Sequence, residues 1–277
     1  MSYTNRNIID IFGISLTSVL LIYLGVLSPG LFLWEDIKES MFFRGLTVVA
    51  NCLVALVAGL FLIVSNTRGY VKSEEYVLGG KYCYECRHAK AERVHHCSRC
   101  KRCINRMDHH CAWIGACVNG RNLGNFTKLI FVTLVTGVVH LALYGYAAQR
   151  RLRIHQGKIA PRFSSVMICI NILVIAALMV LLGLLAIRHI RIIKYNTTYL
   201  EMLQARRLKR LGMYVPENPY NKGGKENFKE IFGTTLDFIL CRTPKSIDQM
   251  SYKNYWPPLR VTKSTSTAQI PSHATQL

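Results

Sequence analysis

Four apolar runs decide what this chain can fold into. They extend roughly from Ile11 to Leu33, Leu46 to Val64, Phe126 to Ala148 and Val166 to Ile187. A helix that crosses a hydrocarbon core of ~30 Å needs about 20 mostly apolar residues, and each run meets that requirement. The fourth is the cleanest, because NILVIAALMVLLGLLAI carries no charge from Asn171 onward. The first contains Ser15, Thr17, Ser18 and Pro29, which a spanning helix tolerates better than a soluble one. The third opens near Lys128, placed to snorkel to the interface, and holds His140, read as a packing or interhelical hydrogen-bonding residue. Four buried helices of a soluble core would need polar partners that the remaining basic, irregular sequence does not supply. With 51% hydrophobic residues and a mean hydropathy of +0.20, the chain reads as an all-α integral membrane protein with four spans. Only Arg6 precedes the first span, and no cleavage pattern follows a run of signal-peptide length, so that span is expected to be a retained anchor.

A formal net charge of +20 raises the question of nucleic acid. The basic residues, however, lie beside the spans: Arg188, Arg191 and Lys194, then Arg206, Arg207, Lys209 and Arg210. That placement fits a cytoplasmic membrane face with anionic lipid, and no nucleic-acid module accompanies it. The bilayer, not nucleic acid, is the expected partner.

Seven of the ten cysteines fall between Cys83 and Cys117, interleaved with His95, His96, His109 and His110. Mixed with histidine, they indicate metal ligation in a reducing compartment rather than disulfides. The segment is therefore expected on the cytosolic side, and an even number of spans puts both termini there as well. Charge agrees only in part, since the loop after the third span also holds Arg150, Arg151, Arg153, Lys158 and Arg162. Thiol chemistry outweighs that loop. The organisation expected is spans one and two within 1–64, a cysteine-rich domain over 65–125, spans three and four within 126–187, and a C-terminal region over 188–277 with a basic interfacial helix from about Ile187 to Met213 and a disordered Ser/Thr-rich tail from about Thr262.

The cysteine-rich segment repeats itself. Cys83, Cys86, His96 and Cys103 form one tetrad, and adding 14 to each number gives Cys97, Cys100, His110 and Cys117. Each is a Cys-x-x-Cys knuckle followed by one His and one Cys, the donor set of a closed tetrahedral structural zinc site. The offset does not choose between adjacent histidines, because His95 and His109 are also 14 apart. The same offset carries Cys97 onto Cys111, but a third tetrad would fall on Ile114, Gly124 and Phe131, none of which binds zinc. Cys111 is left over. Directly before it come Asp108, His109 and His110, so that a carboxylate, an imidazole and a thiol stand together, the parts of a nucleophilic relay. Nearby Arg99, Lys101, Arg102 and Arg106 are the cations that would favour the thiolate. The competing reading is a surface turn with an idle thiol.

Asp108-His109-His110-Cys111 within this segment, with Asn122 and Phe126 following, resembles the DHHC family of protein S-acyltransferases, or palmitoyltransferases. The resemblance implies a four-helix transmembrane bundle with a two-zinc domain between spans two and three. It implies one structural Zn²⁺ on Cys83, Cys86, His96 and Cys103 and another on Cys97, Cys100, His110 and Cys117. It further implies Cys111 as the acylated nucleophile, His109 as general base and Asp108 as its orienting carboxylate. The acyl donor would be a long-chain acyl-CoA such as palmitoyl-CoA, its chain between the helices and its CoA in the cytosol. Acceptors would be cysteines of membrane-associated proteins, in an endomembrane compartment (Golgi, endoplasmic reticulum or plasma membrane), with room for an accessory subunit. Lys and Arg beside the zinc segment are candidates for the CoA phosphates.

Two further motifs match. Asn196-Thr197-Thr198-Tyr199-Leu200-Glu201 resembles the family's Asn-x-Thr-Thr-x-Glu, and Asn218-Pro219-Tyr220, with Gly223, Asn227 and Gly233 behind it, resembles its C-terminal element. Both imply a brace between the zinc domain and the bundle. Three positions depart from the family: Ala112 and Ala91 stand at usual prolines, and Tyr199 at a threonine, where a bulky phenol is expected to alter contact with the catalytic turn. Inactive relatives and zinc-stabilised membrane scaffolds are the alternative classes. Cys169 and Cys241 read as inert packing thiols, although a juxtamembrane Cys241 is also open to acylation.

Overall fold

The computed structural model describes residues 7–71, 81–154, 163–244 and Trp256. The tail from Thr262, and Lys158 and Arg162 of the loop after span three, lie outside them. A segment in hydrocarbon must satisfy its own backbone hydrogen bonds, and all four apolar runs do so as helices: Ile8–Phe32, Met41–Asn66, Leu123–Ile154 and Phe163–Tyr195. The second, third and fourth helices overrun their apolar runs at both ends, since interfacial residues such as Arg151 and Lys194 continue the same ladder. The first span is composite. It consists of α1 (Ile8–Ile22), a π-helical turn (Tyr23–Leu27) and α2 (Ser28–Phe32). A short α3 (Trp34–Glu39) leads into α4 (Met41–Asn66), and after the cysteine-rich segment come α5 (Leu123–Ile154) and α6 (Phe163–Tyr195). The basic stretch beyond is not one helix. It breaks at Asn196, whose φ is 46°, and resumes as α7 (Tyr199–Arg210), followed by α8 (Gly224–Phe232) and α9 (Thr235–Ile239).

The spans pack α4 on α5 on α6, with Phe43, Ala50, Leu143, Tyr144, Ala147, Ile168 and Ile175 in one buried cluster. A polar knot joins three helices there: the Tyr144 hydroxyl meets Ser28 Oγ, which also accepts from Asn171 Nδ2 at 3.0 Å. His140 bonds within its own helix instead, Nδ1–H donating to the Thr136 carbonyl at 2.9 Å. At the end away from the cysteines, Asp36 accepts from Arg150 at 2.7 Å and from Arg151 at 3.3 Å, and Arg150 also pairs with Glu39. Two of the arginines that complicate the charge count thus have structural partners on that side. Cys169 lies exposed on α6 rather than packed.

The cysteine-rich segment is three antiparallel hairpins: β1 (Lys81–Cys83) with β2 (His88–Lys90), β3 (His95–Cys97) with β4 (Arg102–Ile104), and β5 (His109–Cys111) with β6 (Ala116–Val118). Successive hairpins begin 14 residues apart. A left-handed residue turns each one at the same place, Arg87 at φ 57°, Lys101 at 54° and Gly115 at 57°. The repeat in the ligands is therefore a repeat of backbone, and it runs to three copies.

The end of α6 ties these hairpins to the bundle. A helix that ends inside protein leaves carbonyls in need of donors. Asn227 Nδ2 reaches the Lys194 carbonyl at 2.8 Å, Asn218 Nδ2 that of Tyr195 at 2.7 Å, and Arg93 Nη2 that of Asn196 at 3.0 Å. Arg93 also forks onto Glu201, with Nε–Oε1 at 2.8 Å and Nη2–Oε2 at 3.0 Å, and lies over the Tyr220 ring at 4.2 Å. Tyr220 in turn donates to Glu92 at 2.9 Å. Glu201 meanwhile closes the capping box of α7 with Thr198. Both motifs after span four thus converge on one arginine of the hairpin segment. Truncating Arg93→Ala strands Glu201, 2% exposed, and a broken buried pair costs about 3–5 kcal/mol. Arg93→Lys does not restore it, because an ammonium cannot fork across Glu201 and Asn196 together. Thermal unfolding in detergent should fall well below wild type for both variants; a lysine variant that melts with wild type refutes the fork.

Candidate active site and metal centres

Strand alternation separates the neighbouring histidines. In β3 and β5 successive side chains point to opposite faces, so His96 and His110 turn to the thiols while His95 and His109 face away. The gathered sets are Cys83, Cys86, His96, Cys103 and Cys97, Cys100, His110, Cys117, each with its ligand atoms within 4.8 Å of one another. In the second set His110 Nδ1 lies 3.5, 3.4 and 3.5 Å from the sulfurs of Cys97, Cys100 and Cys117, and the last two sulfurs are 3.6 Å apart. In the first, His96 Nδ1 lies 3.5 and 3.3 Å from Cys83 and Cys86. A tetrahedron with Zn–S of ~2.3 Å and Zn–N of ~2.0–2.1 Å has S···N edges of about 3.6 Å and S···S edges of about 3.8 Å. Donor type and spacing both fit zinc.

Each set is divided between hairpins. The knuckle comes from one hairpin, and the His and Cys come from the central cross-strand pair of the next, His96 opposite Cys103 and His110 opposite Cys117. The first hairpin has Tyr82 opposite Ala89 at that pair, with no earlier knuckle to serve. The third has Cys111 and Ile114 at its knuckle, with no later hairpin to complete a set. There the chain makes a 3-10 turn, Ala112–Ile114. Ile114 and Cys111 pack in a cluster with Phe61, Val64, Phe126, Ile130 and Ala186, drawn from α4, α5 and α6.

On the face of β5 opposite the thiol set, His109 and Cys111 are neighbours. His109 Nδ1 is 2.7 Å from Asp108 Oδ2, and the fully buried Asp108 accepts at Oδ1 from the Tyr199 N–H at 2.6 Å. Burial alone would push Asp108 up, but hydrogen bonds from His109 and Tyr199 hold it below the ordinary carboxylate value. Burial likewise opposes charge on His109, yet hydrogen bonds to Asp108 and Cys111 outweigh it and raise the imidazole from 6.5 to about 9. The Tyr199 contact is made by backbone. Its phenol lies instead beside Arg188, 4.7 Å from guanidinium to ring, so the side-chain departure leaves the bond to Asp108 in place. Ala91 is buried with Cys83, Val94 and Cys103.

Three of the four cations named from sequence are committed elsewhere. Arg99 pairs with Asp10 at 3.6 Å, Arg102 lies over Tyr70 at 5.1 Å, and buried Arg106 meets Asn196 Oδ1 and Glu230. Asp10 itself escaped notice: it lies in the first turn of α1, yet its Oδ1 accepts from His110 Nε2 at 3.0 Å. A single acid opening an apolar helix was the available signal. Cys241 meets Lys128, whose Nζ is 3.6 Å from the thiol and donates to the Phe238 carbonyl at 2.7 Å.

A His109 value raised above 6.5 means that its charge stabilises the fold fully below that pH and that this contribution fades as pH climbs through about 9. Asp108→Asn removes a principal raising partner while burial remains. NMR titration of labelled histidine should show the His109 midpoint displaced downward in that variant, and an unmoved midpoint would contradict the coupling.

The family description "DHHC palmitoyltransferase" matches residues 77–206. A curated relative, "Probable protein S-acyltransferase 13" of Arabidopsis thaliana, is 34% identical over 163 residues, 56% of this chain and 49% of the relative. The chain thus spans about half the length of the curated relative it matches. The turn from Asp108 to Cys111 and both thiol–imidazole sets fall inside the region that matches the DHHC palmitoyltransferase family.

Proposed function

We propose that this protein is a membrane-embedded protein S-acyltransferase that moves a long-chain acyl group from acyl-CoA, through a thioester on Cys111, to cysteines of membrane-associated proteins. One observation carries the reading. The thiol that neither metal set uses is buried in an apolar cluster with residues of three spans, while its neighbour on the same strand face, His109, is hydrogen-bonded to Asp108. A nucleophile for a lipid thioester needs both surroundings at once.

The two sets of donors would hold zinc, which when bound fixes the hairpins that carry the turn. His109, its Nδ1 engaged by Asp108, takes the Cys111 proton on Nε2. The thiolate attacks the thioester carbonyl; a carbon–sulfur bond forms to Cys111, and the bond to CoA sulfur breaks. CoA leaves with the proton from His109. In the second step His109 deprotonates the acceptor thiol, which attacks acyl-Cys111, and the released Cys111 sulfur is reprotonated. One thioester replaces another, so the balance is near thermoneutral and the barrier decides the rate. Each buried CH₂ of the chain contributes ~0.8 kcal/mol, which favours holding it among the spans. Thiol chemistry of the hairpin segment supports a cytosolic active site with both termini on that side, in an endomembrane compartment; the bilayer and acceptor proteins are the partners, not nucleic acid.

The direct test is acyl-enzyme formation. Purified protein given an alkyne-tagged palmitoyl-CoA should acquire a hydroxylamine-labile label that Cys111→Ser abolishes with zinc content unchanged. A zinc-loaded wild type without label would instead support a zinc-stabilised scaffold or an inactive relative.

The backbone bond to Asp108 gives a second test. Tyr199 is the first residue of α7, where proline is accommodated, and Thr198 before it is extended, φ −110° and ψ 162°, as proline requires. Tyr199→Pro therefore deletes the N–H together with the phenol, whereas Tyr199→Thr deletes the phenol alone. Acyl-enzyme formation should slow about 10-fold or more, since an oriented general base contributes ~10²–10⁴-fold. Tyr199→Thr, which keeps the N–H, should stay close to wild type; equal rates for all three would remove Asp108 orientation from the mechanism.

A further inference from the structure

Asp10 is a carboxylate at the start of a membrane span, yet it is buried, only 3% exposed. Its Oδ1 accepts from His110 Nε2 at 3.0 Å and pairs with Arg99 Nη1 at 3.6 Å. The other nitrogen of the same ring, His110 Nδ1, faces the sulfurs of Cys97, Cys100 and Cys117. An imidazole that ligates through Nδ1 carries its proton on Nε2, so Asp10 meets the only proton the ring has left to donate.

The approach of α1 is fixed at two further points. A Cβ at Gly13 would come within 2.4 Å of the Ala112 carbonyl oxygen, so that only glycine admits the helix here. Thr17 Oγ1 lies 3.2 Å from the Trp113 carbonyl. Residues i, i+3 and i+7 fall on one helical face, and that face meets His110, Ala112 and Trp113, the residues on either side of Cys111. Three thiolates exceed the charge of one divalent zinc ion, and Asp10 adds a further negative charge that Arg99 offsets.

We propose that Asp10 is the outer-sphere partner of the second metal centre: a positioning carboxylate on the first span that orients His110, holds its metal, and thereby fixes the strand on which Cys111 follows. This rests on the reading that Cys97, Cys100, His110 and Cys117 hold zinc. Loss of such a partner typically weakens metal retention about 10–100-fold, and the first centre, on Cys83, Cys86, His96 and Cys103, has no contact with Asp10 by which to share the loss.

The test uses the full chain in detergent, loaded with zinc, as wild type, Asp10→Asn and Asp10→Ala. Zinc release to a colorimetric chelator is followed together with N-ethylmaleimide labelling mapped by mass spectrometry. In Asp10→Ala, one of two zinc ions should leave about 10–100-fold faster, with Cys97, Cys100 and Cys117 labelled ahead of Cys83, Cys86 and Cys103. Asp10→Asn, which keeps the shape and an acceptor, should fall between. Acceleration of both thiol sets together would mean a merely structural role, and unchanged release in both variants would mean none; either overturns the proposal. A wild type that retains no zinc would overturn the metal reading itself.

Discussion

Each metal set is shared between neighbouring hairpins, and the rest of the domain depends on that sharing. Strands of three residues cannot sustain a sheet, and an isolated two-stranded hairpin is marginal in water. Here the knuckle of one hairpin and the cross-strand pair of the next complete a single tetrahedron, so two centres link three hairpins in series. Structural zinc is worth about 10–16 kcal/mol in small metal-dependent folds, enough to stand in for a hydrophobic core. The series has two open ends. At the first, the cross-strand pair is Tyr82 and Ala89; at the last, the knuckle positions are Cys111 and Ile114. What closes the last end is the membrane bundle itself.

Closure there comes from three directions. α1 lays Gly13 against the Ala112 carbonyl, the inner ends of α4, α5 and α6 receive Ile114 and Cys111, and the first N–H of α7 reaches Asp108. The third contact is fixed in turn by the Arg93–Glu201 fork and by the asparagines that cap α6. Arg93, Arg106 and Asn196 all adopt left-handed backbone, at φ 59°, 45° and 46°. Such conformations cost of order 1–3 kcal/mol each and persist only where surroundings over-determine them. All three meet at one point, Arg93 on the Asn196 carbonyl and Arg106 on its side chain. Three of the six left-handed non-glycine residues among those described thus meet in the brace between hairpins and bundle, the others being Arg87 and Lys101 at the hairpin turns and Cys241.

The spans and both ligand sets were legible because each has a period: about 20 apolar residues for a bilayer, and an offset of 14 for the ligands. The choice of His96 and His110 over His95 and His109 was not, since the offset is blind to which face of a strand a residue occupies. Tyr199 misled for a related reason. Its side chain departs from the family, but the interaction at that position belongs to its N–H, which every residue except proline provides. Asp10 lies 100 residues from His110, and no local pattern joins them. Arg99, Arg102 and Arg106 were read by proximity along the chain as a field around Cys111; their partners prove to be Asp10, Tyr70, and Asn196 with Glu230. Long-range side-chain pairing is the part of this site that spacing cannot encode.

In the proposed reaction, the apolar and polar surroundings of Cys111 do different work. Burial of an acyl chain among the spans is much the same in the ground state and at the transition state, so by itself it tightens binding without accelerating the exchange. It contributes to rate only by holding the thioester carbonyl at the sulfur, where a bimolecular encounter becomes a positioned one. That conversion demands that the thiol not move relative to the spans. A metal-bound hairpin alone would leave the 3-10 turn free at its outer edge. The contacts of α1 with His110, Ala112 and Trp113, together with the N–H of α7 on Asp108, remove that freedom from two sides. In that reaction the bundle that would hold the chain and the turn that would handle the proton stand at a separation set by these contacts, and it is that separation, rather than the affinity of either, that would let chain burial be expressed as rate.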